Sequence, residues 1–169
     1  RRLSSAASDV YKRQLYKFKY KYDSVLWIFD RLVIAVALGG TLVRIGNFFN
    51  SEIVGVFTNS DYGVIFQNRG EILPRHPAQL YEAFGYIILF ITLILIYNKT
   101  KLKDFKGFLF GFFLMFLFVV RFIVEYVKES QGGLEEQLGI FSTGQWLSIP
   151  FILIGIGLMI YSYILIEKK

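Results

Sequence analysis

Four long apolar stretches, separated by basic or polar segments, set the plan of this chain. The first runs from about Val25 or Asp30 to Asn47, and the second from Gln79 to about Tyr97. The third runs from Gly107 to about Val127, and the fourth from Trp146 to Ile166. At about 1.5 Å rise per residue, each is long enough as a helix to cross the roughly 30 Å hydrocarbon core of a bilayer. All four are apolar all round, so their periodicity does not reveal which faces touch. The predicted fold class is an all-α integral membrane protein with about four transmembrane helices.

The polar segments between the spans fix a topology. Lys17, Lys19 and Lys21, then Lys99, Lys101, Lys103 and Lys106, then Lys168 and Lys169 all fall on one side of a four-span arrangement. Short cytoplasmic loops carry such an excess of lysine. Residues 48–78 and 128–145 then lie outside, together with the polar ends of all four helices. A connection as long as 48–78 is uncommon without a role of its own. Pro77 suits the first turn of the second helix, with His76 as its cap or as a loop contact. Residues 1–14 have a different character. They lack the apolar core of a signal peptide and read as a non-native, adapter-like segment. Residues 15–169 are then expected to be the C-terminal part of one polytopic domain.

Composition agrees with the membrane reading. The 169 residues are 54% hydrophobic and 19% charged, with 18 Phe and 11 Tyr. A soluble domain of this size does not carry that balance. The formal net charge of +6 lies largely in the segments flanking the spans, so it calls for no nucleic acid. With no cysteine and one histidine, neither a thiolate centre nor a metal site is expected, and no cofactor is called for.

Charges at the ends of the spans are the candidate chemistry, because polar groups at membrane depth are costly and usually retained for a task. Arg44 and Asn47, spaced i, i+3, share a helix face. A guanidinium fork there matches two phosphate oxygens, or simply anchors the helix end. Arg121 and Glu125, spaced i, i+4, are expected to supply partners to each other. They serve either as a structural ion pair or as an anionic headgroup site. Glu82 is the one charge of the second span and suits the positive end of that helix dipole.

Four ordered motifs carry a resemblance. Arg44-Ile45-Gly46-Asn47-Phe48-Phe49-Asn50-Ser51-Glu52-Ile53-Val54-Gly55 resembles the signature Gly-Arg-x-Gly-Asn-Phe-x-Asn-x-Glu-x-x-Gly, with Val43 in place of its opening Gly. His76-Pro77-Ala78-Gln79-Leu80-Tyr81-Glu82, Arg121-Phe122-Ile123-Val124-Glu125 and Gly144-Gln145-Trp146-Leu147-Ser148-Ile149-Pro150 follow in order. Together they are similar to the motifs of the prolipoprotein diacylglyceryl transferase family, over roughly residues 25–166.

That resemblance implies a seven-helix bacterial inner-membrane enzyme whose active face points to the periplasm or exterior. It would move the diacylglyceryl group of phosphatidylglycerol to the lipobox cysteine of a prolipoprotein, without cofactor. It implies Arg121 and Glu125 as catalytic residues, and a substrate site with Arg44, Asn47, Asn50, Glu52, His76, Gln79, Tyr81 and Glu82. The family's upstream His-Gly-Gly segment has no counterpart here, so His76 does not inherit its role. The competing readings are a non-catalytic membrane protein that binds an anionic lipid or solute, and a purely structural bundle.

Overall fold

The computed structural model describes residues 25–129 and 141–167. The adapter-like segment 1–14, the lysines at 17, 19 and 21, residues 130–140 of the outer loop, and Lys168–Lys169 lie outside the described residues. Among the described residues there are four long helices: α1 (Val25–Phe49), α2 (Ala78–Lys99), α3 (Phe108–Val124) and α4 (Thr143–Glu167). All four are long and apolar enough to cross a membrane. The chain is a multi-pass membrane protein.

Two helix ends depart from the pattern, each for a local reason. Helix α4 starts at Thr143 rather than Trp146, because Ser142 and Gln145 form a capping box. The Ser142 Oγ accepts from the Gln145 N–H at 3.2 Å, and the Gln145 Oε1 accepts from the Ser142 N–H at 3.0 Å, so two orphan donors are satisfied reciprocally. Helix α3 tightens into a 3₁₀ turn over Glu125–Val127. At α2, Pro77 itself is the N-cap residue, without a side-chain bond. His76 does not cap. Its backbone pairs with Val56 and Gly55, and its ring meets the Tyr81 hydroxyl at 3.2 Å.

The end of the bundle that carries the α2–α3 connection is tied by one acid. Asp30 of α1 is 1% exposed, and its carboxylate accepts from the N–H groups of Gly107 (2.7 Å) and Phe110 (2.8 Å). These are orphan donors at the start of α3, so a side chain from α1 caps another helix. Gly107 holds φ +94°, a left-handed conformation that favours glycine, and a Cβ there would crowd Leu26 and Ser162. The Ser162 hydroxyl of α4 in turn faces the Lys106 carbonyl at 2.8 Å.

Along the helices the contacts are close and apolar, as expected where no hydrophobic drive separates helix from lipid. Val33, Ala37, Leu89, Leu93, Leu109 and Phe113 form the core. A Cβ built on Gly111 would lie 2.7 Å from the Gly155 carbonyl, and one on Gly155 would lie 2.6 Å from that of Gly111. The α3 and α4 backbones therefore touch. Phe118 and Phe151 stack above that crossing at 4.4 Å.

The 48–78 connection is ordered by backbone pairing. Val64 and Arg75 exchange both hydrogen bonds, and Gly55 N–H donates to His76 O. The segment after α3 joins them: Val56 N–H donates to Val127 O and Glu129 N–H to Val54 O. The outer loop is thereby strapped to the end of α3.

Asp30→Ala is expected to leave two buried N–H groups without acceptors, each costing about 1–3 kcal/mol. Thermal unfolding in detergent should show a clear loss of stability, while Asp61→Ala, at an exposed loop acid, should change little.

Candidate functional site

The end of α1, the start of α2 and the end of α3 bring together an alternating row of charges. The Arg44 Nε lies 2.7 Å from Glu82 Oε2, with side chains 12% and 2% exposed. On its other side Glu82 Oε1 faces the Lys128 Nζ at 3.8 Å, and Lys128 meets Glu125 Oε2 at 3.5 Å. The row is Arg44–Glu82–Lys128–Glu125, spanning α1, α2 and the turn after α3. Charges this far from water persist only when paired. Tyr86, one turn below Glu82 on α2, is buried beside the row. Arg121 stands one turn before Glu125 on α3, at the same end of the bundle. With Arg121 counted, the cluster has one cation in excess.

Arg121 and Glu125 do not pair as their spacing suggests: among the described residues no ion pair joins them. The Glu125 N–H still donates to the Arg121 carbonyl, but the carboxylate goes to Lys128, three residues on. It also packs on Gly144, where a Cβ would fall within 2.6 Å of Glu125 Oε2. Gly144 lies in the first turn of α4, where the helix dipole favours an anion. The glycine of the Gly144-Gln145 motif is thus required by close approach.

The signature segment turns back on itself directly after α1. Ser51 (φ +58°) and Ile53 (φ +55°) are both left-handed. For a β-branched residue that conformation is an outlier that surrounding structure must hold in place. Gln79 supplies the hold: it is fully buried, and its Nε2 donates to the Glu52 carbonyl at 2.6 Å. Gln79 and Glu82 share a face of α2, so one turn of helix grips both the reversal and Arg44. The Gln79 Oε1 and Glu82 Oε1 are buried without a hydrogen-bond donor among the described residues.

The other expected site residues lie around this centre. Asn47 is half-buried on the Arg44 face, while Asn50 and Glu52 carry exposed side chains at the rim. Glu52 contributes its backbone, not its carboxylate, to the Gln79 contact. His76 and Tyr81 form their own pair beside the loop. Three participants were not singled out from the sequence: Lys128, Tyr86 and Arg75. The i, i+3 spacing from Glu125 was a usable signal for Lys128. Nothing local marks Tyr86.

Arg75 is the hub of the outer strap and is 5% exposed. Its Nη1 donates to Gly55 O at 3.0 Å, its Nε lies 2.6 Å from Glu71 Oε2, and its Nη1 lies 3.0 Å from Glu129 Oε1. The guanidinium stacks 3.7 Å above the Phe57 ring, a cation–π contact. Arg69 bridges the same two acids. The hydrogen bond from Arg75 holds the Glu71 carboxyl below the usual glutamate range, with Arg69 adding to it. Burial alone works against the Arg75 charge, but Glu71 and Glu129 outweigh it and raise its pKa.

Beside the charge row lies a dry slot of about 240 Å³, lined by Phe122, Ile149, Ile152 and Leu153. A second groove of about 230 Å³ runs between the end of α1 and the loop, with Phe48, Phe49, Ile65 and Phe66 on its walls.

Comparison with known proteins gives a consistent result. A family model described as prolipoprotein diacylglyceryl transferase matches residues 12–161. Among curated relatives, the phosphatidylglycerol--prolipoprotein diacylglyceryl transferase of Tolumonas auensis is 47% identical over 148 residues, covering 88% of this chain and 56% of the relative. Its namesake from Chloroherpeton thalassium is 42% identical over 83% of this chain and 52% of the relative. That from Bacteroides fragilis is 40% identical over 86% and 50%. The chain spans about half the length of the curated relatives it matches.

Glu82→Leu should strand Arg44 and Lys128 without their shared anion, at a cost of about 3–5 kcal/mol. Glu82→Gln keeps an acceptor for Arg44 and should lose less in thermal unfolding. The strap should respond to acid. Because the folded-state pKa of Glu71 is depressed, its contribution is complete above the ordinary glutamate range and is lost as pH falls through the folded value. Proteolytic cleavage within 56–73 should therefore rise on acidification, and Glu71→Gln should show the same susceptibility at neutral pH.

Proposed function

This chain belongs to the prolipoprotein diacylglyceryl transferase family, and on that premise we propose that it carries the phosphate-binding part of a diacylglyceryl transferase. The reaction joins a prolipoprotein cysteine thiol to the diacylglyceryl group of phosphatidylglycerol. Sulfur forms a bond to the terminal glyceryl carbon as the bond from that carbon to the phosphate oxygen breaks. The thiol proton passes to a base, and glycerol phosphate leaves with the bonding electron pair. A thioether remains, and no oxidant or cofactor is needed.

The observation that carries this reading is the buried charge row Arg44–Glu82–Lys128–Glu125, with Arg121 one turn before Glu125 on α3. Negative charge grows on the phosphate as the bond to carbon breaks. Guanidinium groups already in place favour that change most strongly where water is excluded. The excess cation matches an anionic headgroup. Arg44 and Arg121 bind the phosphate, Glu125 orients Lys128 beside it, and Gln79 positions the signature reversal so that Asn47, Asn50 and Glu52 frame the glycerol. The dry slot next to Phe122 accepts an acyl chain. We place the protein in the bacterial inner membrane with this site on the outer face, since the lysines of the α2–α3 connection mark the opposite side.

The test uses the chain completed with the unmatched part of the Tolumonas auensis relative. Transfer from labelled phosphatidylglycerol to a lipobox peptide is measured in reconstituted membranes. Arg44→Ala and Arg121→Ala should each lower the rate about 10²–10³-fold, with the thermal midpoint used to check folding. Retention of near-normal transfer by Arg121→Ala would remove that residue from the headgroup site. Lipid binding without any transfer, in the unsubstituted protein, would favour a non-catalytic anionic-lipid binder.

A further inference from the structure

The outer loop presents a set of apolar side chains that its own fold does not bury. Ile72 is 84% exposed and its neighbour Leu73 is 57% exposed. Tyr62 is 77% exposed and Phe49, the last residue of α1, is 71% exposed. An isolated exposed apolar residue is ordinary, but adjacent large ones in a connecting loop call for a covering phase.

Two observations identify that phase. The first is continuity with the lipid-facing surface. Phe49 ends a membrane span, and the groove wall carries that apolar surface from Phe48 and Phe49 directly onto Ile65 and Phe66 of the loop. Phe66 is itself buried against Phe48, with ring centroids 5.8 Å apart. The loop therefore lies against the helix end, at the depth where headgroups begin.

The second is charge. Between Ile53 and Pro77 the formal charges are Asp61, Arg69, Glu71 and Arg75, which cancel. Arg69, Glu71 and Arg75 are also bonded to one another and to Glu129. Three of the four loop charges are thus held in a neutral network with Glu129, with the exposed Asp61 outside it, so the strap meets little desolvation penalty at a membrane interface. Tyrosine is a residue type enriched at that depth.

We infer that the 53–77 loop is a monotopic membrane element, with Ile72 and Leu73 inserted into the interfacial region of the outer leaflet. It holds the charge row at the lipid surface by two attachments, the strap to Glu129 and the inserted tip. The inference stands on the span geometry rather than on the chemistry proposed above, so loss of transfer activity leaves it untouched.

The absence of cysteine makes the test clean. Single variants Ile72→Cys, Leu73→Cys, Ile91→Cys and Lys101→Cys of the full chain are spin-labelled in phosphatidylglycerol-containing nanodiscs. Collision of each label with oxygen is compared with collision with a water-soluble nickel chelate. Ile91, half-exposed in α2, is the lipid reference, and Lys101 in the inner turn is the aqueous one. Labels at 72 and 73 should favour oxygen severalfold over the label at 101 and approach the ratio at 91. A ratio equal to that at 101 would place the tip in water and overturn the inference. Exclusion of both reagents would show that protein covers the tip, and would overturn it equally. Both positions are open, so the variants should retain the parent helix content by circular dichroism.

Discussion

The outer half of this protein depends on one carboxylate. Glu82 is sealed from water, and it takes the charge of Arg44 on one side and of Lys128 on the other. Three separately encoded pieces of chain meet through it: the end of α1, the start of α2 and the turn after α3. An anion in this position makes a cationic site possible at membrane depth. Without it, Arg44 and Lys128 would repel each other and draw in water or move apart. The arrangement is neutral enough to fold, and Arg121 leaves it a small positive excess.

Around that carboxylate the backbone is held in a shape it would not choose. A serine and an isoleucine in the left-handed region are unfavourable by on the order of 1–3 kcal/mol each. Gln79, Asn47 and the Arg75 strap keep them there through bonds to the backbone. Strain concentrated beside a polar cluster is a common property of sites where a ligand is gripped. The motif residues divide accordingly. Arg44 and Glu82 bring charge, Gln79 and Gly144 bring geometry, and Gln145 starts a helix.

Much of this was legible in the sequence, and the limits have physical causes. The four spans followed from length and hydropathy, because a bilayer imposes both. The Arg44, Glu82 and Arg121 positions stood out because charge in such stretches is costly. The pairing of those charges was not legible. Spacing suggested Arg121 with Glu125, but spacing speaks only of neighbours on one helix, whereas Arg44–Glu82 and Glu82–Lys128 are contacts between elements. Asp30 read as a boundary of the first span, because an acid near a helix start is usually an interface residue. The donors its carboxylate accepts from lie 77 and 80 residues away. The cap of α4 was present as Ser142-Thr143-Gly144-Gln145, a pattern obscured by reading those residues only as part of a motif.

The Asp30 tie also bears on how the protein is made. Synthesis delivers α1 to the membrane before the N–H groups of Gly107 and Phe110 exist. Until they arrive, the Asp30 carboxylate lacks the two donors it meets in the folded bundle. The closing of this end of the bundle thus waits until the chain has reached α3.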